Sequence, residues 1–408
     1  MRLLLAKADE RAHLRPSARA TWLEREVGLI FPMKIAFYNL TTTTKSGGIE
    51  TFNWELGRFM AGQGHEVHLY GGRGPIRPYA HPGLTVRTYP YTPRERFPNL
   101  GTRFRKFMER LTFARHAWKD LAAGRYDYIY IGKPYDLPWV LLAARRSKAK
   151  VVYGSGGTEF FPGYRFLVKR VDIFTACSHF NADEIEAYTG IRPHVLYNGV
   201  DVFLFRPQPP DPELGRSLAL AEGVPVLVTA CRLIGWKGVD DAIRAVGALR
   251  DQGLNVRHLV LGDGEVRPAL ERLSRDLGLE DSVTFLGQVN HEELPRYYAL
   301  AAAAVFSPVG AETFGISIAE AMACGVPVVA TKVGGIPEMV GEEGALLAPP
   351  RDVAGLARAL AELLRDSGLR ARLAQSARRR VEERFTWTAA AQRFEELRIQ
   401  AERASEAS

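Results

Sequence analysis

Four charged residues in the second half of the chain have the types and spacing to bind a phosphorylated sugar. Glu312 and Glu320 are eight positions apart in "SPVGAETFGISIAEAMACG", and Arg232 and Lys237 are five apart in "CRLIGWKGVDDAI". Arginine offers phosphate a rigid fork of donors, and lysine offers a mobile point charge. Carboxylates repel phosphate, so their natural partners are hydroxyl groups. The set predicts a site for a phosphate that has a sugar and a ribose attached.

The elements around the two glutamates predict how they are positioned. Residues 303–308 have the pattern of a buried strand, a loop with Glu312 follows, and "ISIAEAMAC" is helical. Gly325 and Pro327 are typical of a helix end. The first N–H groups of a helix lack partners and attract anions. We therefore expect a phosphate at this helix start, with one carboxylate on each side.

Short apolar runs alternate with amphipathic helical patterns along the whole chain. This rhythm predicts parallel sheets built from βαβ units, and thirteen strands are too many for one sheet. The predicted strands are 34–39, 66–71, 85–91, 126–132, 150–154, 173–178, 194–199, 225–233, 258–264, 282–289, 303–308, 327–331 and 345–349. The predicted fold class is α/β, with two Rossmann-like, doubly wound parallel-sheet domains facing a central cleft.

Domain boundaries follow from composition. The proline-rich stretch "RPQPPDPELG" at 206–215 cannot lie inside a central strand or a helix. We predict an N-terminal domain over 33–205, a C-terminal domain over 206–375, and a closing helix in 376–408 that could return to the N-terminal domain. Residues 1–32 lack this alternation of strand and helix patterns and are predicted to be an extension outside the fold.

Composition favours a cytoplasmic globular protein. The chain is 46% hydrophobic and 25% charged, and it has no apolar run of roughly 20 residues that could span a bilayer. Cys177, Cys231 and Cys324 are far apart, which argues against a disulfide framework. Residues 33–205 have a net charge of +10, from 24 Lys/Arg and 14 Asp/Glu, whereas 206–408 have −4, from 24 and 28. A basic N-terminal half is compatible with peripheral binding at the inner face of the cell membrane.

A basic amphipathic segment, 94–122, lies in this half of the chain. Residues 94–119 contain eight Lys/Arg and two Glu, and the apolar residues follow helical spacing. One interpretation is a helix that packs on its own sheet and exposes a solvated basic face. The other is a dock for anionic lipid headgroups, formed by Arg103, Arg105, Lys106 and Arg110.

Several motifs, in order, resemble the family 4 retaining glycosyltransferases of GT-B fold. They are "SGGIE", "YNGVDVFLFRP", "CRLIGWKGVDDAI", "LGDGEVRPALERLSRDLGLEDSVTFLGQV", "EELPRYYALA", the two-glutamate segment continued through "GVPVVATKVGGIPEMV", and "RFTW". The resemblance covers residues 33 to about 395. It implies an enzyme that moves a sugar from a UDP- or GDP-linked donor to a glycan or lipid-linked acceptor, in the synthesis of a surface polysaccharide or glycolipid.

The resemblance also implies roles by position. Arg232 and Lys237 would neutralise the donor diphosphate, Glu312 would hold donor-sugar hydroxyls, and Glu320 would hold the ribose. Arg232, Lys237 and Glu312 would thus be the catalytic set. The remaining donor-binding positions would be the backbone at Phe314, Gly315 and Ile316 and the loop glycines Gly47 and Gly48. Such enzymes retain the anomeric configuration, and we expect no metal and no cofactor.

One segment departs from the family pattern. Many members have a histidine after the strand that aligns with "KVVYG", whereas this chain has "VVYGSGGTEFF". Ser155 or Gly156 stands in that place, and Glu159 could match the acidic residue that follows. Ser155 and Glu159 are therefore candidates for the acceptor or sugar side, and the identity of the donor sugar stays open.

Other classes of protein stay open at this point. A sugar-nucleotide epimerase of the same fold would need an acid/base pair near the sugar, and the sequence offers no convincing pair. A phosphorylase would use inorganic phosphate and release no nucleotide. A non-catalytic protein that binds membrane or RNA would suit the basic half but would leave the Arg232, Lys237, Glu312 and Glu320 set unexplained. We expect no nucleic-acid partner.

Overall fold

A computed structural model describes residues 32–45, 47–75, 81–157, 159–310 and 312–406. The predicted extension, residues 1–32, lies outside the described residues except for Pro32. Contacts divide the chain into two compact units. The first unit comprises the residues up to Cys177, then Asn181–Gly199, and then the chain from Trp387 onward; the second comprises Ser178–Phe180 and Val200–Thr386.

The first unit is built on a seven-stranded parallel sheet of order β3-β2-β1-β4-β5-β6-β7. Its strands are β1 (Lys34–Tyr38), β2 (Glu66–Gly72), β3 (Leu84–Tyr89), β4 (Tyr128–Ile131), β5 (Lys150–Ser155), β6 (Ile173–Ala176) and β7 (His194–Val195). Its helices are α1 (Gly48–Gly62), α2 (Thr102–Ala123), α3 (Leu137–Ser147), α4 (Tyr164–Val168) and α5 (His179–Thr189), whose first residues group with the second unit. The strand order reverses between β1 and β4, and ligands of such sheets bind at the carboxyl ends beside this reversal.

The second unit has a six-stranded parallel sheet of order β10-β9-β8-β11-β12-β13. Its strands are β8 (Val226–Ala230), β9 (Arg257–Leu261), β10 (Val283–Gly287), β11 (Ala303–Phe306), β12 (Val328–Thr331) and β13 (Ala345–Ala348). Its helices are α6 (Pro212–Ser217), α7 (Val239–Asp251), α8 (Arg267–Asp276), α9 (Leu294–Tyr298), α10 (Ile316–Ala323), α11 (Ile336–Val340), α12 (Val353–Arg365) and α13 (Ser367–Arg384). Here the order reverses between β8 and β11, so the loops that follow these two strands meet at one edge.

The strands are apolar because helices cover both faces of each sheet. Every residue of β4, β8 and β11 is buried, as the continuous apolar runs in the sequence predicted. All thirteen predicted strands are confirmed, and two parallel-sheet, Rossmann-like units confirm the α/β fold class.

A last helix, α14 (Trp387–Glu406), belongs to the first unit although it is at the end of the chain. Trp387 and Phe394 are buried in one hydrophobic cluster with Ile35 of β1 and Phe52 of α1. The Phe52 and Trp387 rings meet edge to face, with centroids 5.8 Å apart. The chain therefore changes unit near Val200 and again near Trp387, where the sequence suggested boundaries at 205/206 and 375/376.

Candidate functional site

Lys237 and Glu312 lie together at the carboxyl edge of the second sheet. Lys237 ends a 3-10 turn, Gly235–Lys237, after β8, and Glu312 is in the loop after β11. The Lys237 ammonium contacts the Glu312 carboxylate, and their side chains are 20% and 15% exposed. The same ammonium lies 4.4 Å from the centre of the Trp236 ring, which adds a cation–π contact. Two predicted site residues from distant parts of the sequence are thus in direct contact.

The backbone around Lys237 is fixed against the loop after β11. Ser307 Oγ donates to the carbonyl of Gly238 over 2.7 Å, and the Val309 N–H donates to the carbonyl of Trp236 over 2.8 Å. Gly238 has φ +61°, and a Cβ there would come within 2.0 Å of the Ser307 carbonyl oxygen. Glycine is required here by both the backbone conformation and the space. The two loops therefore hold Lys237 in place beside Glu312.

The backbone of Glu312 is also held tightly. Its carbonyl accepts from the Gly335 N–H over 2.8 Å, and a Cβ on Gly334 would approach that carbonyl oxygen to 2.1 Å. Gly334 has φ +56°, so the "GGIPE" glycines allow a close backbone approach that a side chain would prevent. The "GGIPE" segment therefore holds the backbone of the Glu312 loop in place, in addition to the side-chain contact between Glu312 and Lys237.

The phosphate-binding positions predicted from the sequence lie at the start of α10. The helix begins at Ile316, and Gly315, in the left-handed conformation at φ +91°, is its cap residue. A glycine brings no side chain to the first N–H groups, so they are available to an anion. Phe314 is buried and packs edge to face on Phe385, with centroids 5.5 Å apart, which fixes the chain just before the helix.

Glu320 lies inside α10 and is buried, which sequence reasoning did not predict for a hydroxyl-binding carboxylate. Its Oε1 is 2.6 Å from Nε2 of His291, in the 3-10 turn His291–Glu293 that follows β10. The Phe205 ring lies 5.0 Å from the His291 ring, centre to centre. Sequence reasoning missed His291, and its place after the carboxyl end of β10 is the signal that could have found it.

Arg232 is exposed on the loop after β8. Its charge, with those of Lys237 and Glu312, acts on the Cys231 thiol, whose pKa is raised to about 11 chiefly by burial. All three charged groups are therefore within electrostatic range of one atom, even though Arg232 itself is solvated. This arrangement leaves the Arg232 guanidinium free of the core and available to a ligand.

The glycine loop of the first unit lies at the start of α1. Gly48 is the first helical residue, and Gly47, in extended conformation, precedes it. A Cβ on Gly47 would come within 2.7 Å of a carboxylate oxygen of Glu50, and the other oxygen of Glu50 accepts a hydrogen bond from Thr41. A phosphate at this loop would be repelled by Glu50, so the predicted phosphate role of Gly47 and Gly48 has less electrostatic support than that of α10.

The residues in place of the expected histidine motif lie at and after the end of β5: Ser155 is its last residue, and Glu159 is in the segment that follows. Ser155 is buried, and its Oγ donates to the carbonyl of Gly157 over 2.8 Å. Glu159 is ion-paired with Lys106 of α2. Burial works to raise the pKa of Glu159, but the hydrogen bond from Lys106 and the charge of Lys133 outweigh it and hold the pKa below its ordinary value. Glu159 is therefore a carboxylate.

The predicted basic dock needs a correction at Arg110. Arg110 is buried and ion-paired with Asp136, and it donates to Asn39 Oδ1 over 3.3 Å. Burial raises the pKa of Asp136 to about 6, while the charge of Arg110 acts in the opposite direction. A guanidinium held in this interior pair cannot reach a lipid headgroup, so the surface position predicted for Arg110 is wrong.

The other three residues of the predicted dock differ in how their side chains are held. Arg105 donates to the carbonyls of Phe97 and Pro98 over 3.1 and 3.3 Å, Lys106 is paired with Glu159, and Arg103 is exposed. The apolar face of α2, including Phe113 and Leu121, packs in the core cluster of the first sheet. The helix therefore packs on its own sheet, which both interpretations of this segment allow.

Metal-ligand clusters and membrane-spanning helices are both absent from the part of the chain that the structure describes. Within the ranges given above, no group of three or more His, Cys, Asp or Glu is placed to hold a metal ion. No helix in the described part of the chain is long and apolar enough to cross a membrane.

Comparison with known protein families matches both halves of the chain. Residues 46–203 match the model described as Glycosyltransferase Family 4, and residues 211–380 match Glycosyl transferases group 1. Together the two matches span both units and include Lys237, Glu312 and Glu320.

The chain is also similar to individual glycosyltransferases in sequence and to solved structures in fold. A GDP-mannose-dependent monoacylated alpha-(1-6)-phosphatidylinositol monomannoside mannosyltransferase of Corynebacterium glutamicum is 30% identical over 294 residues, which are 67% of this chain and 76% of that protein. A D-inositol 3-phosphate glycosyltransferase of Xylanimonas cellulosilytica is 30% identical over 383 residues, 86% of this chain and 90% of that protein. The structure of a sucrose-phosphate synthase from Thermosynechococcus elongatus superposes with a TM-score of 0.77 at 23% identity, covering 91% of this chain and all of that one. This structural likeness identifies the fold as GT-B.

Proposed function

Because the chain belongs to glycosyltransferase family 4 and is a glycosyltransferase, we propose that it moves a sugar from a nucleotide-diphosphate-sugar donor to a glycan or lipid-linked acceptor, with retention of configuration. The single observation that supports this best is the cluster at the carboxyl edge of the second sheet. There the Lys237–Glu312 pair joins the loops after β8 and β11, and the open start of α10 and the buried Glu320 belong to the helix that follows the second loop.

Each group of this cluster has a part in the proposed reaction. Lys237 and the first N–H groups of α10 stabilise the negative charge that develops on the leaving diphosphate, and Arg232 adds a second cation from the same loop as Lys237. The Lys237 contact orients the Glu312 carboxylate toward the hydroxyls of the donor sugar. Glu320, held by His291, accepts from the ribose hydroxyls.

We further propose that catalysis is independent of metal ions. Two cations and a helix N-terminus supply the positive charge that a divalent ion supplies to diphosphate in other enzymes. Turnover should be unchanged after exhaustive treatment with EDTA and assay in metal-free buffer. A loss of activity that Mg²⁺ or Mn²⁺ restores would refute this part of the proposal.

GDP is the first donor nucleotide to test, because the Corynebacterium relative is named as GDP-mannose-dependent. Calorimetric titration of the full chain with GDP and with UDP should show binding of one of them in preference to the other. A screen of GDP- and UDP-sugars for slow donor hydrolysis would then identify the sugar, and NMR of the product would give the anomeric configuration. Absence of binding to either nucleotide would contradict a donor site here, and an inverted product would contradict retention.

The proposed acceptor is a glycan or glycolipid precursor at the cytoplasmic face of the membrane. The net charge of +10 in residues 33–205 supports attraction to an anionic surface or acceptor. We propose a role in surface polysaccharide or glycolipid synthesis. Cell fractionation tests the location: the protein should be found in the cytoplasm and on the inner membrane, and release from membranes by high salt should follow from electrostatic binding.

A further inference from the structure

An apolar cavity in the first unit is lined by none of the residues proposed for donor binding. Its volume is about 350 Å³, in the range of small-molecule sites. Phe104 and Phe107 of α2, Tyr135, Phe161, two prolines and Arg103 line it. Tyr135 follows β4 and Phe161 follows β5, so the cavity lies at the carboxyl edge of the first sheet, the edge at which open α/β sheets bind ligands.

The aromatic walls of the cavity are braced by further rings. Tyr135 and Phe161 are stacked with centroids 5.1 Å apart, and the Phe161 ring meets Tyr164 edge to face at 5.8 Å. On the other wall, the Phe107 ring lies 6.0 Å from that of Trp139. Such rings cannot easily collapse into the space, and an apolar cavity of this kind prefers hydrocarbon to water.

The charges around the cavity leave a positive excess. Lys106 is paired with Glu159, and Arg110 is paired with Asp136. Two further cations are Arg103, which lines the cavity and is exposed, and Lys133, whose side chain forms no ion pair within the described ranges. Glu50 is one more carboxylate whose charge acts on Lys133, and the cations still outnumber the carboxylates.

Lys133 lies near the cavity because it immediately precedes the 3-10 turn Pro134–Asp136, which contains the lining residue Tyr135. Burial lowers the pKa of Lys133, and the nearby charges of Glu159 and Glu50 oppose that effect. The same Glu159 charge acts on Tyr135, as does the charge of Arg103. A half-buried ammonium and an exposed guanidinium beside an apolar cavity are complementary to an amphiphile with an anionic head and a hydrocarbon tail.

We propose that this cavity holds the hydrocarbon chain of an anionic lipid-linked acceptor, with Arg103 and Lys133 attracting its phosphate. The inference rests on the proposed function and deepens it by naming the substrate class. It also replaces the predicted flat dock of four basic residues with a site that takes in one chain of a single lipid molecule.

Calorimetric titration of the full chain with dodecyl phosphate, kept below its critical micelle concentration, tests the proposal. The unmodified protein should bind it, and inorganic phosphate should bind at least about tenfold more weakly or not at all, because it lacks the hydrocarbon chain that the cavity would bury. Phe104→Asp should weaken dodecyl phosphate binding by at least about tenfold, a change of about 1.4 kcal/mol. The matched control is Phe166→Asp, at an exposed phenylalanine of α4 that does not line the cavity, and it should leave binding unchanged.

Two charge variants keep the test informative if Phe104→Asp fails to fold. Arg103→Ser and Lys133→Ala should each weaken dodecyl phosphate severalfold and leave the uncharged dodecyl maltoside unaffected. The proposal is overturned if dodecyl phosphate binds Phe104→Asp as well as the unmodified protein, or no better than inorganic phosphate does. It is also overturned if the protein binds phosphatidylglycerol vesicles but no monomeric amphiphile, since that result indicates a flat membrane dock.

Titration of the same samples with GDP and UDP separates this inference from the proposed function. Nucleotide binding without amphiphile binding removes the cavity inference and leaves the glycosyltransferase proposal standing. Amphiphile binding without nucleotide binding removes the donor site and leaves the cavity as a lipid site.

Discussion

At the scale of single residues, the proposed donor site contains side chains that are already paired in the free protein. Lys237 contacts Glu312, and Glu320 contacts His291. Pairing of this kind fixes the carboxylates before the donor arrives, which lowers the entropic cost of binding. It also means that removal of Lys237 leaves Glu312 without its cation, and removal of His291 leaves Glu320 without its hydrogen-bond partner.

Lys237→Ala and Glu320→Ala should each lower turnover at least about tenfold, which corresponds to about 1.4 kcal/mol of barrier. The first change removes the cation beside the leaving diphosphate, and the second removes the acceptor for the ribose hydroxyls. Initial rates at saturating acceptor provide the measurement, and Arg358→Ala, at an arginine of α12 whose side chain is 73% exposed, is the control. Near-normal rates in both variants would refute the assigned roles.

His291→Ala should weaken nucleotide binding by roughly fivefold, about the free energy of one ordinary hydrogen bond. The reason is that Glu320 loses His291 Nε2, which lies 2.6 Å from its Oε1 and would orient the carboxylate toward the ribose. His291→Gln, whose amide can still donate to Glu320, should recover part of the affinity. The effect should vanish with a 2′,3′-dideoxynucleoside diphosphate, and an equal loss for both nucleotides would show that His291 acts only on the fold.

At the scale of elements, the second sheet contains a buried histidine on β9. His258 is fully buried, and its Nε2 is 2.9 Å from the hydroxyl of Thr229 on the neighbouring strand β8. Burial lowers the pKa of His258 to about 4. The folded state therefore binds the proton less tightly than the unfolded state does, and the sheet is most stable when this histidine is neutral.

Stability of the second unit should consequently fall as the pH decreases from 6.5 toward 4. At pH 4.5 the contribution of His258 to the loss should be about 2–3 kcal/mol, since one pKa unit corresponds to 1.36 kcal/mol. Urea unfolding midpoints at pH 7 and pH 4.5 measure it. His258→Val should flatten this pH dependence, whereas His116→Ala, at an exposed histidine of α2, should not. An unchanged pH dependence in His258→Val would contradict the assignment.

At the scale of the whole molecule, the end of the chain stabilises its beginning. Phe394 of α14 is fully buried in the cluster that includes Ile35 of β1. Phe394→Ala should therefore destabilise the first unit by about 3–5 kcal/mol, the usual cost of a large-to-small change in a core.

Hydrogen exchange can localise that effect. Phe394→Ala should speed exchange in β1 and α1, and the reciprocal variant Phe385→Ala, at a buried ring of the second unit, should speed exchange around α10 instead. If Phe394→Ala loosened only α14 itself, the helix would not be an integral part of the first unit's core.

The sequence by itself determined the thirteen strands, the α/β class and the helix start beside Glu312. These features depend on local information: apolar runs are buried wherever helices cover both faces of a sheet, and a glycine before a helix leaves its first N–H groups open. The motif order was also sufficient to recognise the family.

Only the tertiary structure decided which charged groups pair. The partners Lys237 and Glu312, His291 and Glu320, and Arg110 and Asp136 are separated by 75, 29 and 26 positions. The sequence shows that all six residues are polar or charged, but it does not show which of them are buried or paired. Burial and pairing depend on which loops the strand order brings to one edge of a sheet. For that reason the sequence predicted a site for a nucleotide-sugar, whereas the fold buried Arg110 away from the surface and left an apolar cavity beside Arg103.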